Sequence, residues 1–380
     1  MRPVLVWDLP TRLFHWSLAA SFVGAWLTSE SDTWLSVHVF LGYLMLGLVG
    51  FRLVWGLVGT QHARFSSFAH GPAAAWRYLQ QVLARRAERH VGHNPAGSVA
   101  IYLLLLLTLL VGVTGFFSMG GEEQQGAAAA WLSIAQGRVV KKLHEAAAVV
   151  MLLLVLAHLA GVVVESLLHH ENLVRAMFTG RKQVQGELTP VQSRWPVALL
   201  LAAAMAGFAA WWFFYALHQP LERQLGRPLA GPGTPHVKFT GRQLADNAQW
   251  RDECGSCHLA FHPSLLPSRS WQRLMAQQAQ HFGSDLALDE ATTQALLAFL
   301  TQESADKHAT EAAFKIEQSL PASAAPLRIT ETPYWVKKHR ELSAADWQLP
   351  AVKSKANCGA CHSDAEAGTF EDAAMKVPRP

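Results

Sequence analysis

The stretch HEAAAVVMLLLVLAHLAGVVVE, residues 144–165, is an apolar run that begins on His144 and carries a second histidine, His158, inside it. The two lie 14 residues apart, about 21 Å along a helix. Fourteen steps of about 100° bring them back to within about 40° of one direction, so both rings leave nearly the same face. Imidazoles are costly in lipid and usually mark function there. One ring near each end of a membrane helix suggests two stacked haems.

Working outward, the 380 residues are 51% apolar and 16% charged, which leans toward a membrane protein. A mean hydropathy of only +0.13 requires a soluble part as well. The net charge of +4 is unevenly placed: Lys and Arg number 15 against 10 acids over residues 1–217, and 17 against 18 over 218–380. The basic excess therefore belongs to the membrane half and reads as a topology signal; no basic stripe points to nucleic acid. The N-terminus lacks the pattern of a cleaved signal peptide, so its first apolar segment is expected to stay as an anchor.

Five apolar segments can cross a bilayer: Leu13–Ser29, Leu35–Val58, about Ser98–Phe117, about Val139–Leu167 and Trp195–Leu217. Arg52, near the end of the second, could snorkel outward. The loop 59–96 contains AAAWRYLQQVLARRAERH, which reads as a basic amphipathic helix on the membrane surface. The arginine-rich loops after spans two and four should be cytoplasmic, with the N-terminus, leaving residues 218–380 periplasmic. Arg138, Lys141 and Lys142 break that pattern; haem propionates could pair with them, or they are simply outvoted. A Gly- and Pro-rich linker, RPLAGPGTPH, follows the fifth span. Beyond it the chain reads as short helices and loop, with Ser268 or Ser270 capping one helix and Asp289 another.

That soluble part contains every cysteine, in Cys254-Gly-Ser-Cys257-His258 and Cys358-Gly-Ala-Cys361-His362. In C-x-x-C-H the thiols add to haem vinyl groups and the adjacent histidine ligates iron. A four-thiolate zinc site or disulfides are the alternatives, but zinc does not require a histidine directly after each pair. For sixth ligands the expectation is His281 and His339, with pairing unassigned. His262 could serve the other haem, His308 reads as solvated, and Met275 and Met375 are the thioether alternatives. In the membrane half, alternate span directions put His38 with His144 near one surface and His15 with His158 near the other. Each pair could clamp a b-type haem. The loop histidines His62, His70, His90, His93, His169 and His170 default to solvated or interfacial roles. Gly42, Gly47 and Gly50 fit close approach of a helix or a macrocycle.

These residues carry a resemblance. Residues 1 to about 185 are similar to the bacterial cytochrome b561 and nickel–iron hydrogenase cytochrome b family, through VWDLPTRLFHW, His38 with LGY, FRLVWGLVG, HARFSSF, His144, His158 and ENLVRAMFTGRK. Residues from about 236 resemble the di-haem cytochrome c family, through CGSCHLAFHPSLLPSRSW, the HFG around His281, TPYWVKKHR around His339 and NCGACHSD. Phe261-His262-Pro263 is a possible departure from that family. The resemblance implies bis-histidine haems on His15, His38, His144 and His158 and exchange of electrons with quinone.

The expected fold is all-α: a transmembrane four-helix haem bundle (1–185), a fifth transmembrane helix and linker (186–235), and a periplasmic, mostly helical di-haem cytochrome c domain (236–380). The expected cofactors are two haem b and two covalent haem c, with quinone as exchangeable substrate. The expected setting is the bacterial inner membrane, its lipid and its quinone pool. Electrons would run between that pool and a periplasmic redox protein. The alternative is an anchor subunit that wires a separate dehydrogenase, hydrogenase or reductase to quinone. The membrane family also admits superoxide oxidation with quinone as acceptor, and a haem-based sensor would need an open iron position. No catalytic acid or base can be chosen, Glu145 being one candidate for quinol deprotonation.

Overall fold

The computed structural model describes residues 2–30, 34–123, 126–128, 131–184, 189–213, 244–371, 374, 375, 377 and 378. They form two compact units, residues 1–116 with 141–234, and 117–140 with 235–380.

In the first unit a strand β1 (Arg2–Leu5) leads into helix α1 (Leu9–Thr28). The helix starts four residues earlier than the apolar pattern suggests, because Asp8 caps it and Pro10 suits its first turn. Asp8 is 1% exposed. Its carboxylate accepts from the Thr11 N–H (2.8 Å), the Trp55 indole (3.1 Å) and the Thr60 hydroxyl (2.6 Å). A buried acid so satisfied ties the start of α1 to the end of α2 (Leu35–Val58). Helix α3 (Pro72–Leu83) stops short of the expected basic helix: Arg85 takes a positive φ of 55°, so Arg85, Arg86 and Arg89 lie off its end. Trp76, Leu79 and Leu83 line an exposed apolar face on α3, as an interfacial helix requires.

Helices α4 (Pro95–Gly121) and α5 (Ile134–Leu168) follow; α5 has 35 residues, about 52 Å. After α6 (Leu173–Thr179), strand β2 (Arg181–Val184) pairs antiparallel with β1, Arg2 opposite Val184. The protein is mostly helical rather than all-α, since strands of four residues leave no readable alternation. Gly180 makes the turn between α6 and β2 at φ +78°, and a Cβ there would strike the Trp7 carbonyl. Helix α7 (Trp195–Trp212) begins where the sequence suggests. Its expected end at Leu217 and the linker lie outside the described residues.

Helices α2, α4, α5 and α7 are long and apolar enough to cross a membrane. They leave Leu103, Leu106, Leu153, Leu156, Leu199 and Leu200 exposed, an apolar surface suited to lipid. Helix α1 is not among these four; Thr11, Arg12, His15, Ser17 and Ser21 make it more polar. Its buried Phe14 nevertheless joins Leu48 and Val49 of α2, Leu105 of α4 and Leu201 of α7 in one core.

The second unit contains short helices α8 (Ala248–Gly255), α9 (Ser268–Ala276), α10 (Glu290–Gln302), α11 (Glu311–Ser319), α12 (Pro333–Lys338) and α13 (Ala344–Gln348). Its core is Trp250, Leu266, Trp271, Met275, Leu296 and Leu300. Asp289 caps α10 through the Thr292 N–H at 2.9 Å, as expected. Neither Ser268 nor Ser270 caps α9. The Ser268 N–H donates instead to the distant Asp306 carboxylate (2.5 Å), a partner no local pattern reveals. In the same unit Glu122 pairs with Lys315 of α11 (3.4 Å), and the Arg138 guanidinium lies over the Phe314 ring (5.3 Å). Arg138 thus has an aromatic partner that the sequence did not suggest.

Candidate haem sites

His38 near the start of α2 faces His144 of α5, with ring centres 6.1 Å apart and planes at 82°. In the second unit His258 faces His281 at 6.2 Å, and His339 faces His362 at 6.2 Å. Two imidazoles that shared one metal through nitrogen bonds of about 2.0 Å would have ring centres roughly 6 Å apart. All three pairs have that spacing. His15 and His158 lie close enough for their charges to interact. Ring geometry thus places His38 against His144, His258 against His281 and His339 against His362.

The hydrogen bonds agree with ligation. His38 Nδ1 is 2.9 Å from the Ala25 carbonyl of α1, and His144 Nδ1 is 2.9 Å from the Val111 carbonyl of α4. His258 Nδ1 meets the Leu259 carbonyl (2.7 Å) and His339 Nδ1 the Trp335 carbonyl (2.8 Å). Nδ1 must carry the proton to donate to a carbonyl, which leaves Nε2 bare for a metal. Gly42 stands one turn along α2 from His38, and a Cβ there would meet nothing within 4 Å, so space adjoins the ring. Next to His144, a Cβ on Gly115 would come within 3.1 Å of the imidazole. These residues fit a haem between the rings.

In the second unit burial pushes the His281, His339 and His362 imidazoles below their ordinary range, favouring the neutral form that binds iron. Burial pushes the Cys254 and Cys358 thiols up to about 11. Trp335 stacks on His339 at 4.1 Å and holds its plane.

His262 is not a ligand in waiting. It is 2% exposed. Its Nδ1 accepts from the Ser264 N–H (3.2 Å) and hydroxyl (2.9 Å), and its Nε2 donates to the Ala245 carbonyl (3.1 Å). Both nitrogens are taken, so the ring is a structural post. Gly368, at φ +73°, packs on it so closely that a Cβ would overlap the His262 Cβ. Gly368→Ala is therefore expected to destabilise this unit by about 2–4 kcal/mol. Melting of the full-length protein, followed at the c-type haem bands, checks that. Met275 is packed in the core at 4% exposure, away from the sixth-ligand role. Met375 forms an isolated backbone bridge with His362.

Charge and composition gave no warning of a polar cluster at the far end of α2. Arg52 is 3% exposed and does not snorkel; its guanidinium lies over Phe65 (4.6 Å) and Phe68 (5.9 Å). His93 is wedged between Trp7 (4.7 Å) and Phe68 (4.2 Å), and burial pushes its pKa down to about 3. Lys182 is buried and pairs with Glu171 (3.6 Å), which also receives the fork of Arg89. Glu165 accepts from the Tyr78 hydroxyl (3.2 Å) and lies 3.3 Å from His169. Several of the loop histidines are thus built into the fold. Glu145 is exposed, as a surface carboxylate would be.

The family model of prokaryotic cytochrome b561 matches residues 6–180, and that of dihaem cytochrome c matches residues 250–370. A "Probable Ni/Fe-hydrogenase B-type cytochrome subunit" of Azotobacter vinelandii is 26% identical over 211 residues, covering 47% of this chain and 87% of its own. The protein of the same name in Rhizobium leguminosarum bv. viciae is 26% identical over 213 residues, covering 47% and 88%. Among solved structures, the diheme cytochrome c from Rhodobacter sphaeroides is 37% identical, covering 34% of this chain and 100% of its own, with a TM-score of 0.31. A diheme cytochrome type c from Shewanella baltica is 30% identical, covering 36% and 95%, with a TM-score of 0.29.

Proposed function

The chain belongs to the prokaryotic cytochrome b561 family over residues 6–180 and to the dihaem cytochrome c family over residues 250–370, and from that premise we propose a route for its electrons. It is an integral membrane cytochrome that binds haem b and haem c and transfers electrons. We infer two b haems, an outer one on His38 and His144 and an inner one on His15 and His158. We infer two c haems, one on Cys254, Cys257, His258 and His281, the other on Cys358, Cys361, His362 and His339. The observation that carries this reading is the common 6.1–6.2 Å spacing of three facing imidazole pairs.

When bound, haem iron supplies one-electron chemistry without proton transfer at the metal. The protein's own residues fix the ligand planes. Carbonyls of Ala25, Val111, Leu259 and Trp335 set the tautomers, and apolar helices exclude water. Electrons would pass between the quinone pool and a periplasmic acceptor. The arginine-rich loops support a cytoplasmic N-terminus, and α1 would add a fifth crossing to the four apolar helices. In lipid nanodiscs, added quinol should bring up both b- and c-type reduced bands of the full-length protein. If only dithionite reduces them, the quinone step is wrong.

A second reading has one specific support: the curated relatives are named as subunits of a Ni/Fe-hydrogenase. In it the chain wires a separate catalytic subunit to quinone. Reproducible co-purification of a catalytic subunit from native membranes would favour it.

A further inference from the structure

If successive spans alternate in direction, α2 and α5 cross the same way, and the His38–His144 contact sets their register. Position 52 on α2 is 14 residues beyond His38, as His158 is beyond His144. Each step is about 21 Å, so Arg52 stands level with His158 and on nearly the same face as His38. On α1 the bond from His38 to the Ala25 carbonyl places His15 ten residues further back, about 15 Å. Arg52 therefore lies about one turn, roughly 6 Å, to the inner side of His15. On α2 it occupies the place that a ligand occupies on α5.

Among the described residues no carboxylate pairs with Arg52, and its Nη1 is buried with no hydrogen-bond partner. Asp8 is near enough to interact, but Thr11, Trp55 and Thr60 occupy its oxygens. Lys182 is already satisfied by Glu171 and by the carbonyls of His90 and Val91. His62 Nε2 is another buried atom with no hydrogen-bond partner among the described residues, and His93 lies within electrostatic reach of both it and Arg52. A buried guanidinium with an open fork costs several kcal/mol unless an acceptor completes it, and its geometry suits a carboxylate. Phe65 and Phe68 cover Arg52 from the loop side, and it is 3% exposed, so a lipid phosphate or a solvent anion has no approach. The acceptor must come from inside the bundle.

We propose that Arg52 binds a propionate carboxylate of the inner haem. The proposal rests on the reading of His15 and His158 as that haem's ligands. The test is a spectroscopic redox titration of full-length Arg52→Gln and Arg52→Lys proteins, with covalent c haem counting the chains. Reduction adds negative charge, so losing a nearby cation should disfavour it. Arg52→Gln should shift one b-type component to lower potential, by about tenfold or more in its reduction equilibrium. The other b component and the c components should hold, and Arg52→Lys should shift less. Should Arg52→Gln fail to accumulate, the resonance Raman propionate band of one b haem in Arg52→Lys must differ from that of the unaltered protein. Unchanged potentials, an equal shift of both b components, or an unchanged Raman band would overturn the proposal. His158→Ala separates the two failures: if it keeps its full b-haem content, the inner-haem reading fails before Arg52 is at issue.

Discussion

His144→Ala is expected to remove one of two b haems and leave the c haems in place. His144 is the ring that faces His38, and alanine gives no nitrogen to complete the pair. The lost ring also vacates a space beside Gly115 and releases the Val111 carbonyl and the Thr114 hydroxyl from their partner. One imidazole alone in an apolar bundle would hold haem weakly. The pyridine haemochrome spectrum of the purified protein should fall from about one b per c to about one b per two c. Quinol should then no longer reduce the c-type bands, although dithionite still does. A full complement of b haem in this variant would remove the basis for the outer site.

The paired substitution Cys254→Ser and Cys257→Ser should lower the intact mass by one haem and leave the second covalent haem attached. The facing pairs His258–His281 and His339–His362 share no residue, so on the proposed assignment one site can be lost without the other. The reciprocal pair, Cys358→Ser and Cys361→Ser, should give the same mass and retain the first haem. Haem-stained gels and intact mass together read the result. Loss of both haems from either pair would mean that the sites form as one unit. The main apolar cluster of this region, Trp250, Leu266, Trp271, Met275, Leu296 and Leu300, is small, so a covalently held haem would add to folding, and lower yields are expected from both variants.

Much of this was legible from residue spacing. The 14-residue interval between His144 and His158 and the arginine-rich loops paired the membrane histidines by depth, and the facing rings of His38 and His144 agree. The C-x-x-C-H motifs declared themselves, because their chemistry is local. The pairing of His281 and His339 with the two motifs did not. His281 and His339 meet their motifs through irregular backbone, which carries no period. His262 looked like a ligand until its two nitrogens were seen to be engaged by Ser264 and Ala245. Arg52 was misread for a related reason. A charge near a helix end snorkels unless something covers it, and here Phe65 and Phe68 from the following loop do so. Gly56 makes room for this, since a Cβ there would overlap the Phe65 ring. The β1–β2 pairing was out of reach because four-residue strands far apart in the chain leave no pattern.

The carbonyls that hold the outer imidazoles have a consequence for biogenesis. His38 on α2 is steadied by Ala25 of α1, and His144 on α5 by Val111 of α4. Each ring is oriented by a helix other than its own, so the socket is divided among four helices and does not exist in any one or two of them. It comes into being only once α5 has entered the bilayer and packed. If this socket holds haem as proposed, haem capture would be a late step in the birth of the membrane domain.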